Sequence, residues 1–385
     1  MNDKEKIKIL SDIIAIESVN NYEIKVANYL RDLLKKYDIY SKIIKLSNSR
    51  ANFIAEIGND GPILGVSGHM DVVSPGNLKN WKTPPFKLTE DAQGNLHGRG
   101  SADMKSGLAA LVISLIEINE QKLIKKGKIR LLATVGEEIE GNGAKAFQKE
   151  GYMEDVDALV IAEPSQDEII YAHKGSMDIR VTSIGKSVHS SMPELGYNAL
   201  NPLVEFVCRV NKYFSMIKVK NNVLGETVVS PTILNSGLQV NSIPDYAVAE
   251  FNIRTIPEAD NNYYIDLFDK IKMEVESIYE SSNIDINVYM NRSYVLTKNE
   301  NNLINLAKKI AKKHLGKSIP GNISPGVTDA SDLLLSKNEN FPFIMFGPGQ
   351  TSQAHRIDEF VEKDIYLKFI DIFIELFPDY INSIK

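Results

Sequence analysis

Cysteine is almost absent from this chain. Cys208 stands alone among 385 residues, so an intramolecular disulfide and a cysteine-ligated zinc site are both excluded. Long apolar runs are missing too: no stretch approaches the ~20 apolar residues of a membrane span. The N-terminal residues Met1-Asn2-Asp3-Lys4-Glu5-Lys6 are charged, with no apolar segment behind them of the kind a secretory signal needs. A large excess of one charge is missing as well. The formal net charge is -6, which argues against a nucleic-acid surface. These absences leave a soluble, cytoplasmic protein as the expectation, without nucleic-acid or membrane partners. There is no repeat and no low-complexity segment. Cys208, inside Leu203-Val204-Glu205-Phe206-Val207-Cys208, reads as a buried helix position.

With 43% apolar residues the chain can bury a sizeable core, and its length suggests two domains. Residues 5–38 follow helical spacing. Strands are expected near 40–46 and 52–57, residues 74–99 read as loop, and Ser101-Ala102-Asp103 opens a long apolar helix. Short apolar runs at 63–68, 129–135, 158–162 and 343–346 read as buried strands of an α/β sheet. After Lys174-Gly175 the pattern changes to β-α-β-β-α-β, a split βαβ or ferredoxin-like unit. Helix and strand patterns of the first kind then return. The fold class expected is α/β: a catalytic domain of residues 1–176 and 293–385 with a mixed sheet flanked by helices, and an inserted α+β domain of residues 177–292.

Four of the apolar runs end in ligand-type residues. The first delivers His69 and Asp71, the second Glu137 and Glu138, the third Glu163, and the fourth a glycine-rich loop carrying His355. Ligands of α/β sheets gather at the carboxyl ends of strands, and histidines with carboxylates suit a hydrolytic metal site. Each signal also has a plainer explanation. His69-Met70-Asp71 fits a core histidine with a capping aspartate, although residues i and i+2 of a strand also let Asp71 orient a metal-bound His69. Asp103, in Gly98-Arg99-Gly100-Ser101-Ala102-Asp103-Met104-Lys105-Ser106-Gly107, fits a helix cap or a carboxylate bridging two metals. Glu137-Glu138 fits an acidic turn, or one ligand beside one general base. Glu163 is harder to explain plainly, because a carboxylate ending a buried strand is costly unless paired or metal-bound.

Taken in order, these segments resemble the M20 family of metallopeptidases and deacylases. The resemblance rests on Gly68-His69-Met70-Asp71-Val72-Val73, the Gly98–Gly107 segment, Gly136-Glu137-Glu138, Ala162-Glu163-Pro164, and Gly347-Pro348-Gly349 with His355. It spans nearly the whole chain. The segment Gly185-Lys186-Ser187-Val188-His189-Ser190-Ser191-Met192-Pro193 places it nearest the branch that holds succinyl-diaminopimelate desuccinylases and acetylornithine deacetylases.

The resemblance implies that His69 and Glu163 bind one zinc, that Glu138 and His355 bind a second, and that Asp103 bridges both. Co or Mn also suits such N/O donors. It implies a cis peptide after Asp103, Asp71 as the group orienting His69, and Glu137 as general base. It further implies His189 as an oxyanion stabiliser, often supplied by the partner subunit of a homodimer formed through the inserted domain. Asn241 and Arg254 would hold a substrate carboxylate, which suits the guanidinium fork. Thr328 and Asp329 would line the pocket, and closure of the inserted domain would complete the site.

The implied substrate is an N-acyl amino acid, foremost N-succinyl-LL-2,6-diaminopimelate, cleaved to succinate and LL-2,6-diaminopimelate for lysine biosynthesis. N-acetylornithine or another N-acyl amino acid, or a dipeptidase or carboxypeptidase substrate, are the alternatives. Lys174, Lys186, Ser190 and Ser191 are candidate partners for the succinyl carboxylate. A phosphoesterase would call for a phosphate cradle, and Gly98-Arg99-Gly100 is the lone candidate. A non-catalytic relative would be expected to lack Glu137 or a ligand, and none is missing.

Overall fold

The computed structural model describes residues 1–384. The chain separates into two compact units, one of Met1–Ala172, Leu296–Asn322 and Thr328–Lys385, the other of His173–Val295 and Ile323–Val327. The packing boundary thus falls a few residues outside the 177–292 segment read from the sequence, and the short stretch 323–327 joins the second unit.

The first unit is built on a mixed sheet. Its strands lie in the spatial order Ser41–Lys45, Ala51–Gly58, Lys128–Thr134, Ile63–His69, Ala158–Pro164, Phe343–Gly347, Ile169–His173. The central strand Ile63–His69 pairs in parallel with both Lys128–Thr134 and Ala158–Pro164, and Phe343–Gly347 runs parallel to Ala158–Pro164. These four therefore end on one edge of the sheet. The flanking strands at 41–45, 51–58 and 169–173 are antiparallel to their neighbours.

Ile63–His69 and Ala158–Pro164 are buried along their full length, as expected for strands covered on both faces. The cover includes helix Lys105–Glu120, which is apolar nearly all round and buried from Lys105 to Ile118, and helix Lys363–Ser383, against which it packs. Gly107 lets this helix approach the sheet. A Cβ there would meet the Ala162 carbonyl oxygen at 2.0 Å.

Several local readings are revised. Residues 5–38 form two helices, Asp3–Ala15 and Ile24–Lys35, because Asn20 and Asn21 turn the chain with positive φ between them. The apolar helix starts at Lys105 rather than Ser101, and the Asp103–Met104 bond before it is cis. The segment read as loop holds strands Thr89–Glu90 and Asn95–His97, the latter paired with Phe360–Glu362. Residues after Glu140 form helix Asn142–Lys149.

The second unit is a four-stranded antiparallel sheet in the order Val228–Ser236, Tyr246–Thr255, Gly175–Ile184, Asn283–Arg292. Helices Leu200–Met216 and Asn261–Ile278 pack on it. Its core centres on Phe206, Phe251 and Phe268, whose rings lie 5.2–6.4 Å apart in tilted and edge-on contacts. Cys208 is exposed, contrary to its sequence reading. The helix buries Pro202, Leu203, Phe206 and Val210, and a position two residues past Phe206 points to the opposite side. Among the described residues no helix is long and apolar enough to cross a membrane.

Candidate metal centre

The parallel register explains how distant residues meet. His69, Glu137, Glu138 and Glu163 all follow or close strands that end on the same sheet edge, and the loop after Phe343–Gly347 returns His355 to it. Two overlapping donor groups result: His69, Asp103 and Glu163 in one, Asp103, Glu138 and His355 in the other, each with its ligand atoms within 4.8 Å of one another. Asp103 belongs to both. Its Oδ1 lies 3.1 Å from His69 Nε2, and its Oδ2 lies 3.6 Å from His355 Nε2. Glu163 Oε1 is 3.9 Å from His69 Nε2, and Glu138 Oε2 is 2.8 Å from His355 Nε2.

The donor set fits divalent cations. It joins imidazole nitrogen to carboxylate oxygen, the mixture that suits zinc and its neighbours. Glu138 Oε1 is buried with no hydrogen-bond partner, a cost that a cation would remove. The protein's own charges are strained here. Burial pushes the Glu163 carboxyl well above its usual range and Glu138 up to about 7. Burial opposes charge on His69, but its contact with Asp103 and the charges of Glu163 and Asp71 outweigh it and hold the imidazole pKa well above normal. The hydrogen bond to Glu138 raises His355.

Asp71 contacts more than His69. His69 Nδ1 lies 2.9 Å from the Asp71 backbone carbonyl oxygen and 3.7 Å from its carboxylate, so the carbonyl is the nearer partner. The carboxylate, fully buried, accepts instead from the backbone N–H groups of Gly136 (2.8 Å), Glu137 (3.2 Å) and Glu138 (3.1 Å). One residue therefore braces His69 with its backbone and the glutamate turn with its side chain. Gly136 is required in that turn: its φ is +71°, and a Cβ would meet Arg50 Nη2 at 2.1 Å.

The remaining predicted residues are divided between the two units. Thr328 is buried in the first unit, where its hydroxyl accepts the Ala330 N–H at 3.3 Å. Asp329 receives the Thr134 hydroxyl at 2.5 Å, which pins the end of the strand leading to Glu137. His189, Asn241 and Arg254 belong to the second unit. His189 is exposed, and its Nδ1 lies 2.8 Å from Ser191 Oγ and accepts the Ser191 backbone N–H at 3.2 Å. A backbone N–H can only donate, so neutral His189 carries its proton on Nε2. Arg254 is half-buried, and burial lowers its pKa against the opposing charge of Asp178. Lys174 donates to the Glu226 carbonyl oxygen, which gives it a structural contact.

Sequence reasoning did not single out Glu359. It is fully buried and accepts four hydrogen bonds from the segment leading to Asp103. Its only signal in the sequence was a position four residues after His355.

Comparison with known proteins agrees with this geometry. A protein of Staphylococcus aureus (strain N315), described as a probable succinyl-diaminopimelate desuccinylase, is 45% identical over 99% of this chain and 99% of its own. The fold matches an M20 family metallo-carboxypeptidase from Sulfolobus solfataricus with a TM-score of 0.82 at 18% identity, covering 98% of this chain and 100% of that one. It also matches a dinuclear metal-binding peptidase of the M20 family from Bacillus subtilis, with a TM-score of 0.71 at 18% identity, covering 99% of each chain. The model of peptidase family M20/M25/M40 matches residues 65–378, a span that holds every donor of both groups. The chain belongs to peptidase family M20/M25/M40 and is a hydrolase of that family.

Proposed function

We propose that the protein hydrolyses the amide bond of N-succinyl-LL-2,6-diaminopimelate, giving succinate and LL-2,6-diaminopimelate. The observation that carries the reading is Asp103, whose two carboxylate oxygens face separate histidine-containing donor groups. The choice of substrate rests on the 45% identical relative, which is matched end to end.

Two divalent ions, Zn2+ first with Co2+ or Mn2+ as substitutes, would supply Lewis acidity and acidify a water molecule. His69 and Glu163 would hold one ion and Glu138 and His355 the other, with Asp103 a donor to both groups. Glu137 takes a proton as water oxygen bonds to the amide carbon, and returns it to nitrogen as the C–N bond breaks. That accounting leaves a carboxylic acid and a free amine, and at neutral pH the acid's remaining proton passes to the amine.

His189 offers its Nε2–H to the carbonyl oxygen as negative charge develops there. Arg254 and Asn241 take a substrate carboxylate. Arg254 is suited to this because it is half-buried and, among the described residues, no ion pair to it is seen. Thr328 forms part of the pocket wall. The second unit serves as a lid and as the surface of a homodimer. Its edge strand Val228–Ser236 is paired on one side only and leaves Ile233 and Leu234 exposed, as an edge that joins another strand would. A cytoplasmic setting follows from the same reading.

The test is initial rates on N-succinyl-LL-diaminopimelate, N-acetylornithine and a dipeptide, each with and without chelator. The expected result is a large, chelator-sensitive preference for the succinyl compound. Preference for either other substrate overturns the substrate assignment, and activity unaffected by chelator overturns the metal centre.

A further inference from the structure

The loop that carries Asp103 and the loop that carries His355 are tied together by one buried side chain. Glu359 Oε2 accepts from Arg99 Nη1 (2.5 Å) and the Gly100 N–H (2.9 Å), while Oε1 accepts from the N–H groups of Ala102 (2.8 Å) and Asp103 (2.9 Å). Its own carbonyl accepts the Gly98 N–H at 3.0 Å, where strand Phe360–Glu362 begins to pair with Asn95–His97. Arg99 is itself buried, its guanidinium 5.2 Å from the Trp81 ring centre.

Four donors on two oxygens use the carboxylate in full. Glu359 also lies just past the turn in which His355 and Asp358 adopt φ of +63° and +57°, a conformation that side-chain-bearing residues hold only when their surroundings enforce it.

We propose that Glu359 is a positioning residue of the metal centre: its carboxylate fixes Asp103 relative to His355 and so sets the affinity for the ion those two share. This rests on the reading of the two donor groups as a metal centre. Glu359 touches neither ion position nor substrate and acts only through the backbone it holds.

Glu359→Gln makes the idea testable. A glutamine has one acceptor oxygen where the carboxylate has two. The buried charge of Arg99 claims that oxygen, so the amide NH2 is turned onto the N–H groups of Ala102 and Asp103. Donor then faces donor at the residue that bridges the two groups.

The experiment is titration of the metal-free, full-length protein with Co2+, followed by its visible spectrum and by competition with a chromogenic chelator, with far-ultraviolet circular dichroism as the check on folding. Wild type is expected to take up two ions. Glu359→Gln is expected to bind the weaker ion on the order of 10–100-fold less tightly, with an altered ligand-field band and an unchanged dichroism spectrum. If that variant does not fold, Glu359→Asp, which keeps the charge but withdraws both oxygens by about 1.5 Å, decides by the same comparison. A folded variant whose isotherm and spectrum match wild type overturns the role of Glu359 and leaves the metal centre standing. A wild-type protein that takes up no ion overturns the metal centre, and this inference with it.

Discussion

His173 gives a prediction that needs neither metal nor substrate. It opens the second unit and is fully buried. Its Nδ1 lies 2.9 Å from the Lys174 carbonyl oxygen, so the neutral ring donates from Nδ1, and Nε2 is left buried with no partner. Burial is the main force that lowers its pKa from 6.5 to about 4, and the cations Arg292 and Arg254 add to it. Between these values the unfolded chain binds a proton that the folded chain refuses. The stability contributed by this group is therefore present above pH 6.5, falls as pH drops, and has stopped falling below about 4. Going from pH 7.5 to pH 5, this one group costs about 2 kcal/mol. With a urea slope of about 2 kcal/mol/M that is a midpoint shift of about 1 M. His173→Asn retains a side-chain N–H that can reach the Lys174 carbonyl and has no proton to gain. Its own stability will be lower at both pH values, but the part of the pH dependence due to His173 should vanish. The assay is urea unfolding of both proteins at the two pH values, with imidazole titration by NMR as the direct check. Equal midpoint shifts in wild type and variant, or a His173 resonance that titrates near 6.5, would refute the reasoning.

The catalytic assignments give sharper losses. Glu137→Gln should keep both metal ions and lose on the order of 10²–10⁴ in kcat, measured by rates alongside metal content; a variant that has also lost metal would reassign Glu137 as a ligand. Arg254→Met should raise KM for the succinyl substrate by about 10–100-fold, as expected for loss of a charged hydrogen bond worth about 1.5–3 kcal/mol, with a smaller change for an analogue lacking the recognised carboxylate. Exhaustive chelation should abolish turnover, and two equivalents of Zn2+, Co2+ or Mn2+ should restore it; recovery with one equivalent would argue against the shared role of Asp103. Gly107→Ala should cost about 1–3 kcal/mol of stability, because the new methyl would sit 2.0 Å from the Ala162 carbonyl oxygen and push the helix off the strand that ends in Glu163.

What the sequence disclosed and what it hid divide along a physical line. The four parallel strands were legible because buried strands must be continuously apolar, and a charged residue at the end of such a run is conspicuous. His69, Glu163 and the Glu137-Glu138 pair announced themselves in this way. The second unit was legible because its strands alternate and its helices carry the 3.6-residue period, so β-α-β-β-α-β could be written down before any packing was known. Cys208 was misjudged for the converse reason: in a short apolar run, composition does not say which side of the helix faces the core.

Asp71 and Glu359 show a deeper limit. Each is a buried carboxylate whose partners are backbone N–H groups far away in sequence, at 136–138 for one and at 100–103 for the other. A backbone donor carries no side-chain signature, so nothing in residue identity marks its acceptor. Asp71 stands out in the sequence only because it follows His69, and the three backbone N–H groups its carboxylate accepts from leave no mark there. The candidate donors of this centre can thus be read from composition and spacing, but the buried groups that contact the loops carrying them cannot. The proposed two-ion centre therefore depends as much on Asp71 and Glu359 as on the five candidate donors. An Asp71→Asn variant should show this. It keeps every ligand and loses the one acceptor atom that receives the Glu138 N–H. Weakened binding of the ion shared by Asp103, Glu138 and His355, by about tenfold or more, is the expected result of a Co2+ titration. An unchanged isotherm would mean that the glutamate turn holds its shape without the carboxylate beneath it.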